Sequence, residues 1–497
     1  MSSDVVLPAY LLGLISLIPF FLIGFGILKT KIKMHWITFF TMIVTSALSL
    51  VWNTDYNLLL VSFLEGFVLA IIPIMWIIFA AVFTYFISVK TGSIEKIKVF
   101  LNSITEDRNI QAVLIAFCFG GFLESVAGFG TAVAIPTGML VSLGFNPVKA
   151  AVISLVANSV PVAFGALGLP VIVLSNIVKE PLEQLTRFVA LQLVPFSLLI
   201  PLLIVVISND GFKGIGKSMK DALMIGFVFT LTQTLVAFFL GPELVAVLGS
   251  LVSLATVVVV KQFKSPNPYL KEVLLPMLNY AILLVLVILT RLVFPEYLNK
   301  YPFVITFEVQ GKVMKIDYLT TPGTLLLISS LVSAFVMGVN FKIILETFIE
   351  TLDKIKWSAL TIVSIVILAK VMGNTGMIIS TAVLIAGVSG VLYPLFSPLI
   401  GAMGTFITGS DTSSNILFGV LQKETAKNLG FNVEWIASSN TSGATAGKMI
   451  SPQSIAVASS AVGLQGYEKQ IISTTLPICI VYSLLLGVYV LIVSLLI

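Results

Sequence analysis

The chain has 497 residues, 58% of them hydrophobic and 10% charged, with a net charge of +5, whereas an ordinary soluble domain carries about 25% charged residues. A soluble fold is excluded, and the positive balance suits loops facing an anionic lipid leaflet without invoking nucleic acid. The two cysteines, Cys118 and Cys479, lie in apolar stretches, so neither a disulfide framework nor a thiol-ligated metal site is suggested.

Apolar runs of about 18 or more residues can cross a hydrocarbon core as helices. They fall near 7–28, 36–53, 58–88, 110–143, 147–177, 188–208, 221–240, 243–260, 272–294, 321–339, 357–393, 395–428, 434–465 and 471–497. The fold class this predicts is an all-α polytopic membrane protein with about 12 to 14 membrane segments. The first run is too long for a signal peptide and lacks a small-residue cleavage pattern, so it reads as a retained helix. The single histidine, His35, follows "KTKIKM" at a helix entrance and reads as a solvated loop residue without a role. Basic residues gather at 29–33, 90–98, 213–220 and 261–271, which places those loops in the cytoplasm and the N-terminus outside. Segments 93–108 and 341–357 are too polar to span and too periodic for coil, and read as helices lying in the interface. The stretch 301–319 alternates like a short hairpin around Gln310-Gly311, a plain extracellular loop.

Four stretches are not simple crossings. Runs 110–143 and 395–428 are too long for one span and carry Gly-rich or Ser-rich centres, the pattern of re-entrant hairpins. Runs 147–177 and 434–465 carry an Asn followed by small residues and a proline, the pattern of broken helices. "NSVPVAFGALGLP" from Asn158 and "NTSGATAGKMISP" from Asn440 share an Asn-Gly-Pro spacing, and each follows the word "LGFN". Their order argues for a duplication with halves at 1–240 and 241–497.

Transporters are commonly built from two such halves, with substrate held near the midplane by interrupted helices. In hydrocarbon every backbone polar group needs a partner, so unwound backbone survives only where protein or a watery cavity supplies one. Half-helix N-termini then offer free N–H groups and a positive dipole end, which suit a carboxylate. "TGSDTSSN", 408–415, reads as a hairpin tip aimed into such a cavity, with Gly409, Ser410 and Thr412 standing in for water around a small polar solute. The plain alternative is a solvent loop between two helices.

"GGFLESVAGFGTAVAIP" (120–136), "NSVPVAFGALGLP" (158–170), "GPELVAVLGSLVSLA" (241–255), "TGSDTSSNILFGVLQ" (408–422) and "NTSGATAGKMISPQSIAVA" (440–458) together resemble the lactate permease family. The resemblance implies secondary uptake of L-lactate, often also D-lactate and glycolate, with protons as the coupling ion. It also implies membership of a wider ion-transporter group with inverted repeats, hairpins and elevator-like movement, in the plasma membrane.

Charges inside spanning segments are costly and by default mark a pathway, a proton relay or a partner. Glu124, beside Gly128 and Gly130, ranks first for proton coupling, with a structural pairing as its plain alternative. Asp411 is second, unless it only caps the helix that follows. Lys448 is the first choice for the substrate carboxylate; its alternative is a salt bridge to Asp411 or Glu124. Lys370 also lies deep in an apolar run, six residues before Gly376 as Glu124 lies six before Gly130. Asn158, Ser159, Asn440, Thr441, Ser442 and Thr445 are the expected neutral contacts to a 2-hydroxyl and carboxylate. Glu65 reads as a helix-end charge outside the site, and Arg187 and Arg291 as residues snorkelling at span ends.

Sodium coupling, or another small organic anion, stays open on the residues alone, because unwound carbonyls with Ser, Thr and Asn oxygens also suit Na⁺. An intramembrane enzyme would need a nucleophile with its base or a metal-ligand cluster, and the sequence offers neither; no cofactor or metal is expected. A channel fits the duplicated broken helices less well than a carrier. A homo-oligomer is left open.

Overall fold

A computed structural model supplies the structure and describes residues 9–30, 32–126, 130–211, 213, 215–262, 269–290, 294–298, 304–309, 312–462 and 467–497. Among the described residues nine helices are long and apolar enough to cross a membrane, one further pair is bent, and four apolar helices are shorter: fourteen apolar pieces in all. The chain is an all-α membrane protein, and the only strands described are Val304–Val309 and Lys312–Asp317, paired antiparallel. The turn expected at Gln310-Gly311 and the snorkelling residue Arg291 lie outside the described residues.

Segment 341–357, expected to lie in the interface, is one arm of a bent helix. Phe341–Trp357 meets Ala359–Asn374 at 47°. Along the first arm only Ile344, Thr347, Thr351 and Ile355 are buried, the three-and-four spacing of a helix with a single packed face. The run 357–393 is not one helix: it stops at Asn374 and restarts at Met377, with Gly376 between them at φ +87°.

Runs 110–143 and 395–428 each hold two helices packed on each other. The first rises through Arg108–Val126 and returns through Thr131–Ser142, with Gly130 left-handed (φ +86°) ahead of the second arm; the tip 127–129 lies outside the described residues. Added methyl groups show how close the arms are: on Gly120 one would meet Ala132 O at 3.3 Å. The second hairpin has arms Tyr393–Thr408 and Asp411–Leu429, and a methyl on Gly404 would overlap Ser414 Oγ.

The repeated word "LGFN" has a physical meaning at both places. Gly144 (φ +83°) and Gly430 (φ +76°) end a helix in the left-handed region, and the next residue closes a six-to-one bond, Phe145 N to Leu140 O at 3.1 Å and Phe431 N to Ala426 O at 3.0 Å. The Asn then caps the following helix: Asn146 Oδ1 accepts from Val148 N at 3.0 Å, and Asn432 Oδ1 from Trp435 N at 2.8 Å.

The hairpins enter from opposite ends of the 27-residue helix Leu182–Ser208. At its C-terminal end, Ser208 Oγ donates to Asn109 at 2.8 Å and Asp210 pairs with Lys149 at 2.6 Å, beside the base of the first hairpin, where Arg108 donates to Leu143 O. At its N-terminal end, Glu180 pairs with Lys423 of the second hairpin at 2.6 Å. Glu124 and Gly130 of the first hairpin therefore come to line the same space as Gly409, Ser410, Asp411 and Thr412 of the second.

The broken helices differ. Pro147–Ala157 ends at Asn158, and a 3-10 turn and a left-handed stretch intervene before the helix resumes toward Val178. In the second, the helix runs unbroken through Asn440 to Lys448, and the break falls at 449–451 before Pro452–Ala461. Small residues explain this: methyls on Gly443 and Gly447 would strike the carbonyls of Pro398 and Ala402. "SGATAG" is thus a close helix contact, where small residues let backbones touch.

Candidate functional site

The second hairpin's tip, residues Glu124 and Gly130 of the first hairpin, and both helix breaks line a cavity of about 420 Å³. At the second tip the sequence dictates the turn. Gly409 closes the first arm at φ +74°, a conformation glycine adopts without penalty, and a side chain there would collide with Gln453. Ser410 is extended and caps the second arm, accepting from Ser413 N at 3.3 Å. The cap is therefore Ser410, and Asp411, the first helical residue, is released from capping; both its carboxylate oxygens are buried without a hydrogen-bond partner.

Lys448 ends the helix Val433–Lys448 beside this tip. Its Nζ donates to Gly409 O at 2.7 Å. Among the described residues it forms no ion pair, so the expected alternative of a salt bridge to Glu124 or Asp411 is not the arrangement seen. It still attracts both carboxylates, which repel one another. Two helix N-termini, at Asp411 and Pro452, open onto the same space, with Ser410, Thr412, Gln453 and Ser454 in the lining.

The first hairpin supplies Glu124, 4% exposed, with Oε2 unpartnered. It rests on the helix break: a methyl on Gly165 would lie 2.9 Å from Glu124 Oε1. Beyond it Ala166 (φ 43°, ψ 55°), Leu167 (φ 58°, ψ 47°) and Gly168 (φ 74°) are all left-handed, a conformation that costs a residue with a Cβ about 1–2 kcal/mol. Asn158 caps the preceding helix next to Glu124, and neither of its amide atoms is in a well-formed hydrogen bond.

A further wall comes from neither hairpin. His35, Trp357, Thr361 and Ile362 line it. His35 is 7% exposed and stacks on Trp357, ring centroids 4.5 Å apart, which corrects its reading as a solvated loop residue. The helix begins at Met34, so His35 already lies in its first turn, on the face packed against the bent helix.

Of the predicted site residues, Glu124, Gly409, Ser410, Asp411, Thr412 and Lys448 come together at the cavity. The others do not line it. Asn440 and Thr441 bond Asn415, whose amide also donates to Pro170 O; Ser442 donates to Gln192 at 2.7 Å; Thr445 bonds Tyr482 at 2.9 Å. These groups join helices to each other. Ser159 bonds its own helix at Val156 O. Lys370 pairs with Glu65 at 2.8 Å, so Glu65 is a partner inside the protein instead of a helix-end charge; a desolvated ammonium recruits the nearest carboxylate. Sequence reasoning missed His35, Trp357 and Gln453. Only Gln453 carried a signal, its place just after the proline of a helix break.

Chemically, a partly open cavity with one ammonium, two helix N-termini and small hydroxyls can hold a compact anion, while two carboxylates outside any ion pair can each hold a proton.

The architecture is that of helical membrane transporters. The Alcanivorax borkumensis YdaH transporter has the same fold, with a TM-score of 0.52 at 14% identity, over 92% of this chain and 98% of that one. The family model described as L-lactate permease matches residues 13–273 and 277–497, and the chain belongs to the L-lactate permease family. It is 39% identical to an L-lactate permease of Streptococcus iniae, over 75% of this chain and 82% of that protein. It is 34% identical to the glycolate permease GlcA of Escherichia coli K12, over 96% and 94% respectively.

Proposed function

We propose that the protein is a secondary transporter of L-lactate and related short 2-hydroxymonocarboxylates, D-lactate and glycolate among them, coupled to protons and working in the plasma membrane. Relatives named for lactate and glycolate support the substrate class. The observation that carries the mechanism is the grouping of Lys448 with two unpartnered carboxylates, Glu124 and Asp411, on one cavity.

The charge logic is simple. With both acids ionised the three groups sum to one negative charge, which repels an incoming carboxylate. A proton on Glu124 or Asp411 removes that repulsion, so anion and proton are favoured together, and a site desolvated by the membrane makes the penalty for one without the other large. Lys448 and the two helix N-termini take the carboxylate; Ser410, Thr412 and the Gly409 backbone take the hydroxyl. Lys448 reaches the substrate by leaving Gly409 O, which ties anion binding to the hairpin tip. Hairpins entering from opposite ends of one helix give each membrane face a mobile element, as alternating access requires.

The test is labelled L-lactate uptake into liposomes under an imposed pH gradient, then under a sodium gradient at equal pH. Glu124→Gln keeps lactate exchange between equal pools and loses accumulation driven by the pH gradient. Accumulation driven by sodium alone would replace the proton with Na⁺, and an unaltered pH-driven uptake in Glu124→Gln would move the coupling to Asp411.

A further inference from the structure

We propose that His35 is a substrate-contacting residue: held flat against Trp357, its imidazole presents an N–H to the carboxylate of the transported anion from the wall that belongs to neither hairpin. This rests on reading the cavity as the path of a small organic anion.

His35 lies on the cavity and is 7% exposed, yet among the described residues neither ring nitrogen has a hydrogen-bond partner. The ring is packed among its neighbours while its nitrogens keep access to open space, so a ligand can meet them without breaking a bond inside the protein. Stacking on Trp357, at 20° between planes, fixes the ring and leaves its edge as the available polar surface. Trp357 itself is 51% exposed and sits where Phe341–Trp357 bends into Ala359–Asn374, so it covers the histidine at a joint of the framework. The chain arrives at His35 through "KTKIK", whose lysines raise the local concentration of anions at that side of the membrane. A cavity of about 420 Å³ also exceeds what a three-carbon acid fills, leaving room for an anion to meet His35 and Lys448 at different stages.

The experiment uses the full chain, purified in detergent for binding and in liposomes for counterflow, with L-lactate as the probe. Wild-type protein changes its tryptophan emission on adding lactate, and Trp357→Phe removes most of that change. His35→Ala raises the half-saturating lactate concentration about tenfold in both assays, the loss of one hydrogen bond to a charged group, with a smaller change in maximal rate. His35→Gln, which keeps an N–H donor, recovers most of the affinity. A histidine that only supports the fold gives a lowered melting temperature and maximal rate at unchanged half-saturation, and that result overturns the proposal, as does an emission change that survives in Trp357→Phe. If wild type exchanges glycolate or propionate but no lactate, the substrate reading fails alone, and the His35 variants are judged by the same tenfold criterion on the anion that moves. A wild type that exchanges no short carboxylate overturns both.

Discussion

Glu65 and Lys370 meet at 2.8 Å, with Asn374 donating to the same carboxylate at 3.2 Å, whereas Glu124, Asp411 and Lys448 share a cavity without one ion pair among the described residues. Both clusters hold charge inside apolar helices. In the first, each charge answers another, and the helices are pressed together: a methyl on Gly66 would lie 2.7 Å from the Ile367 Cα. In the second, a helix break, a hairpin tip and a lysine held only by a carbonyl keep the charges apart. The contrast separates charge that fastens the framework from charge left available for a ligand and a proton.

Breaking the fastened pair has the largest expected effect. Lys370→Met takes the ammonium away from the largely buried Glu65 carboxylate and leaves it the Asn374 amide, a loss on the order of 3 kcal/mol, read as a lowered melting temperature of the purified protein. Adding Glu65→Leu removes the carboxylate as well and restores most of that loss, and the double variant exchanges lactate at wild-type half-saturation. If Lys370→Met instead melts like wild type and no longer binds lactate, Lys370 belongs to the transport path and the contrast is lost.

The lysine of the cavity behaves in the opposite way. Lys448→Ala gives up one bond to Gly409 O, and its melting temperature stays near that of wild type. Lactate exchange at low substrate falls about 100-fold, because the cation facing the anion is gone. No second substitution in the Glu65 cluster rescues it. A fall in exchange below tenfold would leave the helix N-termini as the main anion holders.

How far the sequence foretells these two clusters depends on the kind of signal each residue carries. The tip at Gly409-Ser410-Asp411 was legible because a left-handed position and a helix cap demand particular residue types, and "LGFN" told twice where one helix ends and the next begins. Glu124, Asp411 and Lys448 were legible as charges that hydrocarbon does not tolerate without cause. The partner of Lys370 was not, since Glu65 lies 305 positions away and only the fold brings it there. That Asn440, Thr441, Ser442 and Thr445 bond neighbouring helices and not the cavity was illegible for a related reason: the helix Val433–Lys448 is polar on several faces and buried on all of them, so no periodicity says which face meets the cavity. His35 gave no signal, because a histidine after a run of lysines looks solvated until a tryptophan more than 300 residues away covers it.

The smallest effect sharpens the comparison at the level of backbone. Ala166 and Ala369 are both 7% exposed alanines, one in the left-handed stretch at the cavity and one in the regular helix beside Lys370. Replacing either by glycine removes one methyl group and adds the same freedom to the unfolded chain, so those contributions nearly cancel between the two variants. What remains is conformation. At Ala369 glycine is worse than alanine in a helix by about 1 kcal/mol; at Ala166 it relieves a left-handed strain of about 1–2 kcal/mol. The two variants should therefore differ, Ala369→Gly lowering the melting temperature and Ala166→Gly leaving it level or raised. Equal losses at both sites would mean that the stretch 166–168 is no more strained than ordinary helix, and that the cavity's open charges are held apart by side-chain packing alone.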